Sequence, residues 1–158
     1  MNQINIAENI IIISQMLVSL ILIKKRAKIS IENVGLEIGT DISNIMFTDI
    51  RNDKDTSVSE DICIFFDIQC GECKLILDKL EKEKNKDFRL ITSGNKNEIR
   101  NFIDKYKYTL DIFYIDRETM SREMNLKIFP LFMVISNGCI VKKGYINTNL
   151  IDTFNKEK

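Results

Sequence analysis

The sequence predicts an α/β fold in which helices cover both faces of a central mixed β-sheet, preceded by an N-terminal transmembrane helix. Between residues 62 and 126, short apolar runs typical of buried strands alternate with amphipathic helical patterns. Asn137-Gly138 then separates two more strand-like runs, a strong hairpin signal because both turn residues need positive φ. Near the amino terminus, residues 10–23 read IIIISQMLVSLILI and carry no charge. These three patterns define the predicted architecture.

The apolar stretch is interpreted as an uncleaved membrane anchor within residues 1–28. Extended back to Ile4, it covers residues 4–23, and about 20 apolar residues are needed to cross a bilayer. Glu8 falls inside this span and is expected near the membrane interface. The alternatives are a signal peptide and a buried core helix. A signal peptide normally begins with basic residues and ends in small residues at its cleavage site. No Lys or Arg precedes Lys24, so the anchor is favoured.

The rest of the chain divides into a connecting segment at 29–57 and a folded domain at 58–158. The connecting segment is polar, with a possible β-hairpin that includes residues 45–50. In the domain, strands are predicted at 62–66, 88–92, 110–115, 131–136 and 139–146. Helices are predicted at 74–86, 95–108 and 117–126, with a last one through Leu150, Ile151 and Phe154. The helix at 95–108 has a predicted buried face at helical spacing, formed by Ile99, Phe102, Ile103 and Tyr106.

Composition excludes several classes of function. Lys plus Arg total 23 and Asp plus Glu total 23, so the net charge is zero, whereas nucleic-acid binding needs a cationic surplus. The chain has no His, which removes Ser-His-Asp and Cys-His catalysis and His-ligated zinc or haem. We therefore expect no nucleic-acid partner and no cofactor. The four Cys carry most of the chemistry that remains.

Two of the cysteines form a C-x-x-C motif, Cys70-Gly71-Glu72-Cys73, between the first strand and the first helix of the domain. At a helix start, unpaired backbone N–H groups and the helix dipole stabilise a Cys70 thiolate. Cys73 lies about one turn deeper, close enough to form a disulfide with Cys70. The first sulfur is then suited to attack a substrate disulfide, and the second to resolve the mixed disulfide. A C-x-x-C at such a strand-to-helix junction is a strong signal for redox chemistry.

The alternatives for this motif are a structural zinc site and an inert buried pair. Zinc needs four ligands, and the other two cysteines, Cys63 and Cys139, lie singly in or beside predicted strands. We expect no metal site and treat Cys63 and Cys139 as structural, with Cys139 a minor candidate for mixed disulfides. Pro130, the one proline, immediately precedes the hairpin. By itself it predicts either an ordinary edge residue or a cis bond that fixes a turn.

Taken together, the C-x-x-C motif and Phe129-Pro130 resemble the thioredoxin fold, over about residues 35–158. The resemblance implies that Pro130 is cis and packs beside Cys70 and Cys73, and these three are the predicted catalytic residues. The run 35–39 (GLEIG), followed by 45–48 (IMFT), is similar to the start of membrane-anchored TlpA-like proteins. The stretches 65–74 (FFDIQCGECK) and 143–148 (KGYINT) resemble the MauD branch. Its members are accessory proteins of methylamine dehydrogenase, with an N-terminal anchor and an extracytoplasmic thioredoxin domain.

This resemblance implies a membrane-tethered thiol-disulfide oxidoreductase that reduces, forms or isomerises disulfides in a client protein. A membrane redox partner would donate or accept the electrons. The positive-inside rule, applied to Lys24, Lys25, Arg26 and Lys28, places the domain in the cytoplasm. The resemblance instead implies a single-pass cell-membrane protein with an extracytoplasmic domain, which we favour. The alternative function is a non-enzymatic Cu(I) carrier or assembly chaperone, because thiolates suit Cu(I).

Departures from the family pattern affect the expected redox chemistry. Gly71 stands where the MauD branch usually has Pro, and Ile64 stands where thioredoxin keeps a buried acid. A proton relay through that acid is therefore not available, and Asp67 is a weak substitute for it. The anionic Glu72 is expected to disfavour the Cys70 thiolate and hence the reduced form. This predicts a reductant or isomerase rather than a strong oxidant; the alternative is that Glu72 points into solvent and has little effect.

Overall fold

The structure is a computed structural model that describes residues 34–84 and 87–156. The predicted anchor at 1–28 lies outside the described residues, as does the end of the helix predicted at 74–86. In the part of the chain that is described, no helix has the length and apolar character needed to span a bilayer. The anchor and its orientation stay predictions.

The strands of the described residues form one mixed sheet. They are β1 Phe47–Asp49, β2 Asp55–Thr56, β3 Asp61–Phe65, β4 Arg89–Ser93, β5 Ile112–Ile115, β6 Leu131–Ser136 and β7 Cys139–Tyr145. Their order is β2-β1-β5-β4-β3-β6-β7. β3, β4 and β5 pair in parallel, whereas β1 with β2, β1 with β5, β3 with β6 and β6 with β7 are antiparallel. The predicted mixed sheet is confirmed.

The α-helices pack on one face of this sheet. They are α1 Gly71–Glu83, α2 Lys96–Tyr106 and α3 Thr148–Lys156. α1 and α2 connect β3 to β4 and β4 to β5, which are successive neighbours in the sheet. Because parallel crossovers are right-handed and both step in the same direction, the two helices lie on the same face. Buried residues of each α-helix contribute to one apolar core there, including Leu77, Ile103 and Ile151.

The opposite face has a second core, to which none of the described residues of α1, α2 or α3 contributes. It is covered by Val34 and Ile42 of the N-terminal segment and by a single π-helical turn, Thr119–Glu123. In that turn the Met124 N–H donates to the Thr119 carbonyl, five residues back, at 2.9 Å. The α-helix predicted at 117–126 is thus corrected to this shorter π turn. Helices were expected on both faces of the sheet. Among the described residues, the π turn is the one helical element on this second face.

Residues 34–57 extend the sheet beyond the segment 58–158. Phe47 of β1 lies opposite Thr56 of β2, so a hairpin is present at the segment where one was considered possible. At the other edge, the Gly39 N–H donates to the Ile140 carbonyl at 2.7 Å, and the Ile140 N–H donates to Thr40 at 3.0 Å. The exposed edge of β7 is thereby partly covered. The domain boundaries themselves stay predictions.

Candidate active site

A tight turn carries the chain from β3 into α1 and fixes the first cysteine. The Asp67 carboxylate accepts a hydrogen bond from the Gln69 N–H at 2.7 Å, and the Asp67 carbonyl accepts one from the Cys70 N–H at 3.1 Å. An Asp side chain that bonds the backbone two residues on is typical of such turns. Cys70 follows as the N-cap of α1, with extended backbone (φ −84°, ψ 118°). The helix therefore begins at Gly71, earlier than residue 74 as predicted.

The Cys70 sulfur contacts both the helix start and the loop before β6. Its Sγ accepts the Cys73 N–H at 3.3 Å, and its S–H points to the Phe129 carbonyl oxygen at 3.8 Å. The side chain is half-exposed. Because the unpaired N–H groups and the positive end of the helix dipole lie at this point, negative charge on the sulfur is stabilised.

Cys73 lies in a different environment, although it is in the first turn of the helix that Cys70 caps. It is 1% exposed. Burial raises the pKa of the Cys73 thiol, and the hydrogen bond with Cys70 raises it further, as do the negative charges of Cys70 and Asp67. The Asp67 N–H opposes these effects but does not outweigh them. The pair therefore consists of one accessible sulfur and one shielded sulfur that is held in its neutral form.

Pro130 lies at the same place. The peptide bond between Phe129 and Pro130 is cis, as the resemblance implied. Pro130 is buried and Phe129 is half-buried. Through the contact of Cys70 with the Phe129 carbonyl, the structure brings Cys70, Cys73 and Pro130 together. Their catalytic roles stay predictions.

The other two cysteines lie outside this cluster. Cys63 is fully buried in β3, and burial raises the pKa of its thiol. Cys139 pairs with Ser136 at the turn end of the β6–β7 hairpin, about 17 Å along the strand from Leu131, which follows Pro130. All four cysteines are free thiols. Across residues 34–84 and 87–156, no group of three or more Cys, Asp or Glu is placed to hold a metal ion.

A groove of about 390 Å³ opens beside Cys70. One wall is the loop at 68–71 with Lys74 of α1, and the other is a face of α2. That face is formed by Glu98, Asn101, Phe102, Lys105 and Tyr106. The sequence pattern placed Phe102 and Tyr106 on the buried face, but Tyr106 is 36% exposed. In the sequence, the exposure of Tyr106 is indicated only by the two lysines that flank it, Lys105 and Lys107.

The stretch 143–148, which resembles the MauD branch, has local structural roles. Gly144 packs against Phe132, whose ring would lie 2.9 Å from a Cβ at position 144. The Lys143 ammonium donates to the Val34 carbonyl at 3.0 Å. Asn147 Oδ1 accepts the Leu150 N–H at 2.9 Å, which is typical of an N-cap and fixes the start of α3. These residues connect β7, the N-terminal segment and α3, and each has a packing role that is independent of a client.

Comparison with known proteins identifies the fold. No protein-family model and no curated protein matches the chain. Among solved structures, StoA from Bacillus subtilis is 17% identical, with a TM-score of 0.55 over 70% of this chain and 95% of that chain. The thioredoxin domain of a thiol-disulfide oxidoreductase from Bacteroides vulgatus is 17% identical, with a TM-score of 0.56 over 77% of this chain and 98% of that chain. A secreted Mycobacterium tuberculosis disulfide oxidoreductase homologous to E. coli DsbE is 9% identical, with a TM-score of 0.55 over 72% and 96%. The chain therefore has a thioredoxin-like fold, with a mixed sheet and the C-x-x-C at the start of α1.

Proposed function

We propose that this protein is a thiol-disulfide oxidoreductase that exchanges disulfides with a client protein through Cys70 and Cys73. The observation that carries the proposal is the position of Cys70. Cys70 is half-buried, and its Sγ caps α1 and accepts the Cys73 N–H at 3.3 Å. The thioredoxin-like fold supports the proposal, and so do the solved structures of that fold that are described as disulfide oxidoreductases.

In the reducing direction, the Cys70 thiolate attacks one sulfur of the client disulfide. A bond forms between Cys70 and that client sulfur, the client S–S bond breaks, and the second client sulfur leaves as a thiolate. The N–H groups at the start of α1 stabilise the negative charge on Cys70 before the attack. Half-exposure of Cys70 gives the client sulfur access to it.

In the second step, Cys73 gives up its proton, which passes through solvent to the client thiolate released in the first step, and the Cys73 thiolate attacks the Cys70 sulfur. A Cys70–Cys73 disulfide forms, the mixed disulfide breaks, and the client leaves as a dithiol, reduced by two electrons as the protein is oxidised by two. Burial and the charge of Cys70 raise the pKa of Cys73, so Cys73 does not compete for the first attack. Once Cys70 is in the mixed disulfide its negative charge is gone, and Cys73 ionises more easily. A donor dithiol then reduces the pair, and the same steps in reverse oxidise a client.

Pro130 acts in this proposal as a positioning residue. It directly follows Phe129, whose carbonyl oxygen lies 3.8 Å from the Cys70 sulfur. Proline has a fixed φ and no backbone N–H, so residue 130 holds this carbonyl beside the sulfur without offering a competing donor. A client bound at Cys70 would contact Phe129, which is half-buried.

The test is thiol-disulfide exchange between glutathione, which supplies the electrons, and 2-hydroxyethyl disulfide, a small neutral disulfide, catalysed by the full-length protein in detergent. Cys70→Ser is compared with Cys139→Ser, a matched substitution of a half-exposed cysteine at the far end of the hairpin. Wild type and Cys139→Ser are expected to catalyse exchange, and Cys70→Ser is expected to be inactive. Activity of Cys70→Ser equal to that of wild type would overturn the proposal. A wild type that is inactive but binds Cu(I) tightly would support the copper carrier instead.

We also propose that residues 4–23 anchor the protein in the cell membrane, with the domain on the extracytoplasmic side. The charge-free run and the resemblance to TlpA-like proteins support this topology. A membrane redox partner would then renew the Cys70–Cys73 pair. Intact cells are treated mildly with a reductant and then with a membrane-impermeant thiol reagent. The experiment is done with Cys139→Ser, because Cys139 is also a half-exposed thiol that the reagent would label. Labelling of Cys139→Ser that is lost when Cys70→Ser is added is expected; labelling only after lysis would place the domain in the cytoplasm.

The narrower proposal is a MauD-type role in maturing a disulfide-bearing enzyme. The similarity of residues 65–74 and 143–148 to that branch supports it. Cys73→Ser expressed in the native cell should accumulate mixed disulfides with its clients. Recovery of one disulfide-rich enzyme subunit would support the narrower role, and recovery of many unrelated thiol proteins would contradict it.

A further inference from the structure

We propose that the groove beside Cys70 binds the client segment next to the reacting disulfide, and that it selects an aromatic side chain together with an acidic one. This inference rests on the proposed function, because it specifies what the same site recognises. The groove is the one of about 390 Å³ between the loop at 68–71 and α2.

The groove is continuous with the reactive sulfur. Gln69, Cys70 and Gly71 all belong to its wall. A client cysteine bonded to Cys70 brings its own backbone to this wall, and an extended chain advances about 3.3 Å per residue. Client residues two or three positions from the cysteine therefore lie over the groove.

The α2 wall of the groove carries two aromatic residues, Phe102 and Tyr106, of which Phe102 also packs against the core. α2 already buries Ile99 and Ile103 in the core. Phe102 and Tyr106 lie one turn apart on the groove side, with ring centres 5.0 Å apart in an edge arrangement. Tyr106 stays 36% exposed. Phe102 is half-buried, and Tyr106 also stacks on Tyr108, with ring centres 5.8 Å apart. The part of the Tyr106 ring that these contacts leave exposed is open to a further aromatic ring, and aromatic pairs favour edge-to-face or offset packing.

The Tyr106 end of the groove is positively charged. Lys74 Nζ lies 4.5 Å from the centre of the Tyr106 ring, and Lys105 Nζ lies 5.1 Å from it. Lys74 is paired with Asp78 at 2.5 Å. Lys105 has no ion-pair partner among the residues that the structure describes. Glu98, the acid in the groove wall, is two turns of α2 away, about 10 Å along the helix. The free ammonium of Lys105 therefore suits a client carboxylate.

The test measures binding of fluorescent peptides to the full-length protein in detergent. In each peptide a Ser replaces the reacting cysteine, so no exchange is needed for binding. The peptides carry Phe and Asp, Phe and Lys, or Ala and Asp beside that Ser. Lys105→Glu is compared with Lys82→Glu, because each lysine is in the last turn of its helix and only Lys105 lines the groove. The helix-dipole effect and the change in net charge are thus the same in both variants.

Wild type and Lys82→Glu are expected to bind the Phe-Asp peptide roughly two- to fivefold more tightly than the Phe-Lys peptide, the size of one exposed ion pair. Lys105→Glu should reverse this order. Tyr106→Ala should lose the preference for Phe over Ala, roughly two- to tenfold. Absence of any preference, or equal shifts in the two Lys variants, would overturn the inference. Exchange with 2-hydroxyethyl disulfide, measured in parallel, separates the two proposals. If the protein selects peptides but does not catalyse exchange, the groove proposal stands and the proposed redox function is wrong. If it catalyses exchange but selects no peptide, the redox function stands and the groove proposal is wrong.

Discussion

Helices α1 and α2 begin in the same way but with different caps. Each follows a parallel strand of the same sheet, and the cap residues have similar backbones: Cys70 has φ −84° and ψ 118°, and Asn95 has φ −79° and ψ 121°. Asn95 Oδ1 accepts the N–H groups of Asn97 at 2.9 Å and Glu98 at 3.4 Å. Cys70 Sγ accepts one N–H, at 3.3 Å. Asn is among the preferred N-cap residues, and Cys is not.

The difference shows that the cap of α1 is suited to thiol chemistry at some cost in helix stability. A thiol sulfur is a weaker acceptor than an amide oxygen, so α1 gains less stability at its start than α2 does. The same N–H groups are then available to stabilise a thiolate. α1 is held further along its length instead: Glu81 accepts from the Thr109 side chain at 2.6 Å, and Asp78 accepts from the Tyr108 hydroxyl at 2.6 Å.

The largest effect is expected from Cys70→Ser, which turns the α1 cap into a better one. Exchange activity should disappear because the nucleophile is lost. Stability should stay the same or rise by up to about 1 kcal/mol, because Ser is a preferred N-cap. Urea unfolding and the exchange rate of the same preparation measure the two effects. A marked loss of stability would mean that the Cys70 thiol is mainly structural.

Asn95→Ala tests the other cap. It should lower the free energy of unfolding by about 1 kcal/mol, because two N–H groups lose their acceptor. Exchange activity of the folded protein should not change. Asn97→Ala, an exposed substitution two residues on, is the control and should cost little stability. If Asn95→Ala were as inactive as Cys70→Ser, the division between a structural and a chemical cap would be wrong.

Acid should weaken the hydrogen bonds that the Glu81 carboxylate of α1 accepts from Thr109 and Leu110, and so lower the stability of the protein. Burial raises the pKa of Glu81, but hydrogen bonds from the Thr109 side chain and from the backbones of Thr109 and Leu110 outweigh it and keep that pKa below its usual value. A lowered folded-state pKa contributes stability above the unfolded-state value, about 4.3, and this contribution is lost as pH falls through the folded-state pKa.

Glu81→Gln should therefore be less stable than wild type at pH 7, with a difference that shrinks below about pH 4. Urea unfolding across this pH range measures it. Glu123→Gln, an exposed Glu in the π turn, is the control. A constant difference at all pH values would rule out the Glu81 carboxylate as its source.

The smallest expected effect concerns Glu72, which lies exposed in the first turn of α1. An anion there opposes a Cys70 thiolate, so Glu72→Gln should stabilise the reduced form. The reduction potential should rise by roughly 10–20 mV, since 30 mV corresponds to about 1.4 kcal/mol and exposed charge interactions contribute up to about 1 kcal/mol. Equilibration with glutathione measures both potentials. A wild-type potential near that of DsbA, about −120 mV, would refute the reductant or isomerase hypothesis.

Hydrophobic periodicity located most elements, but it missed features that depend on hydrogen bonds. The helical pattern predicted α1 from residue 74, although the C-x-x-C motif placed Cys70 at a helix start; capping by Cys70 starts the helix at Gly71. Met120 and Met124 have a spacing that fits an α or a π turn, so the π turn was not predictable. Leu110 is buried just before β5, and its apolar character extended the predicted strand too far.

The cysteines of the site were predictable because a C-x-x-C motif at a strand-to-helix junction is typical of thiol-disulfide chemistry. The groove was not, since Tyr106 shares its helical spacing with Ile99 and Ile103, and spacing does not reveal whether another layer covers a residue. Conversely, the KGYINT run that resembled the MauD branch has packing and capping roles that any client would leave unchanged.

The most direct test of the order of attack is intact-protein mass spectrometry of full-length Cys73→Ser after incubation with an excess of a peptide disulfide and no reductant. Both variants compared also carry Cys139→Ser, because Cys139 is a half-exposed free thiol that would form its own adduct. The expected result is a one-to-one adduct linked to Cys70 that persists, because the resolving thiol is gone. Cys70→Ser, which keeps the buried Cys73, should form none on the same timescale. An adduct that forms as fast on Cys73 of Cys70→Ser, or no adduct on Cys73→Ser, would contradict the assignment of Cys70 as the attacking sulfur.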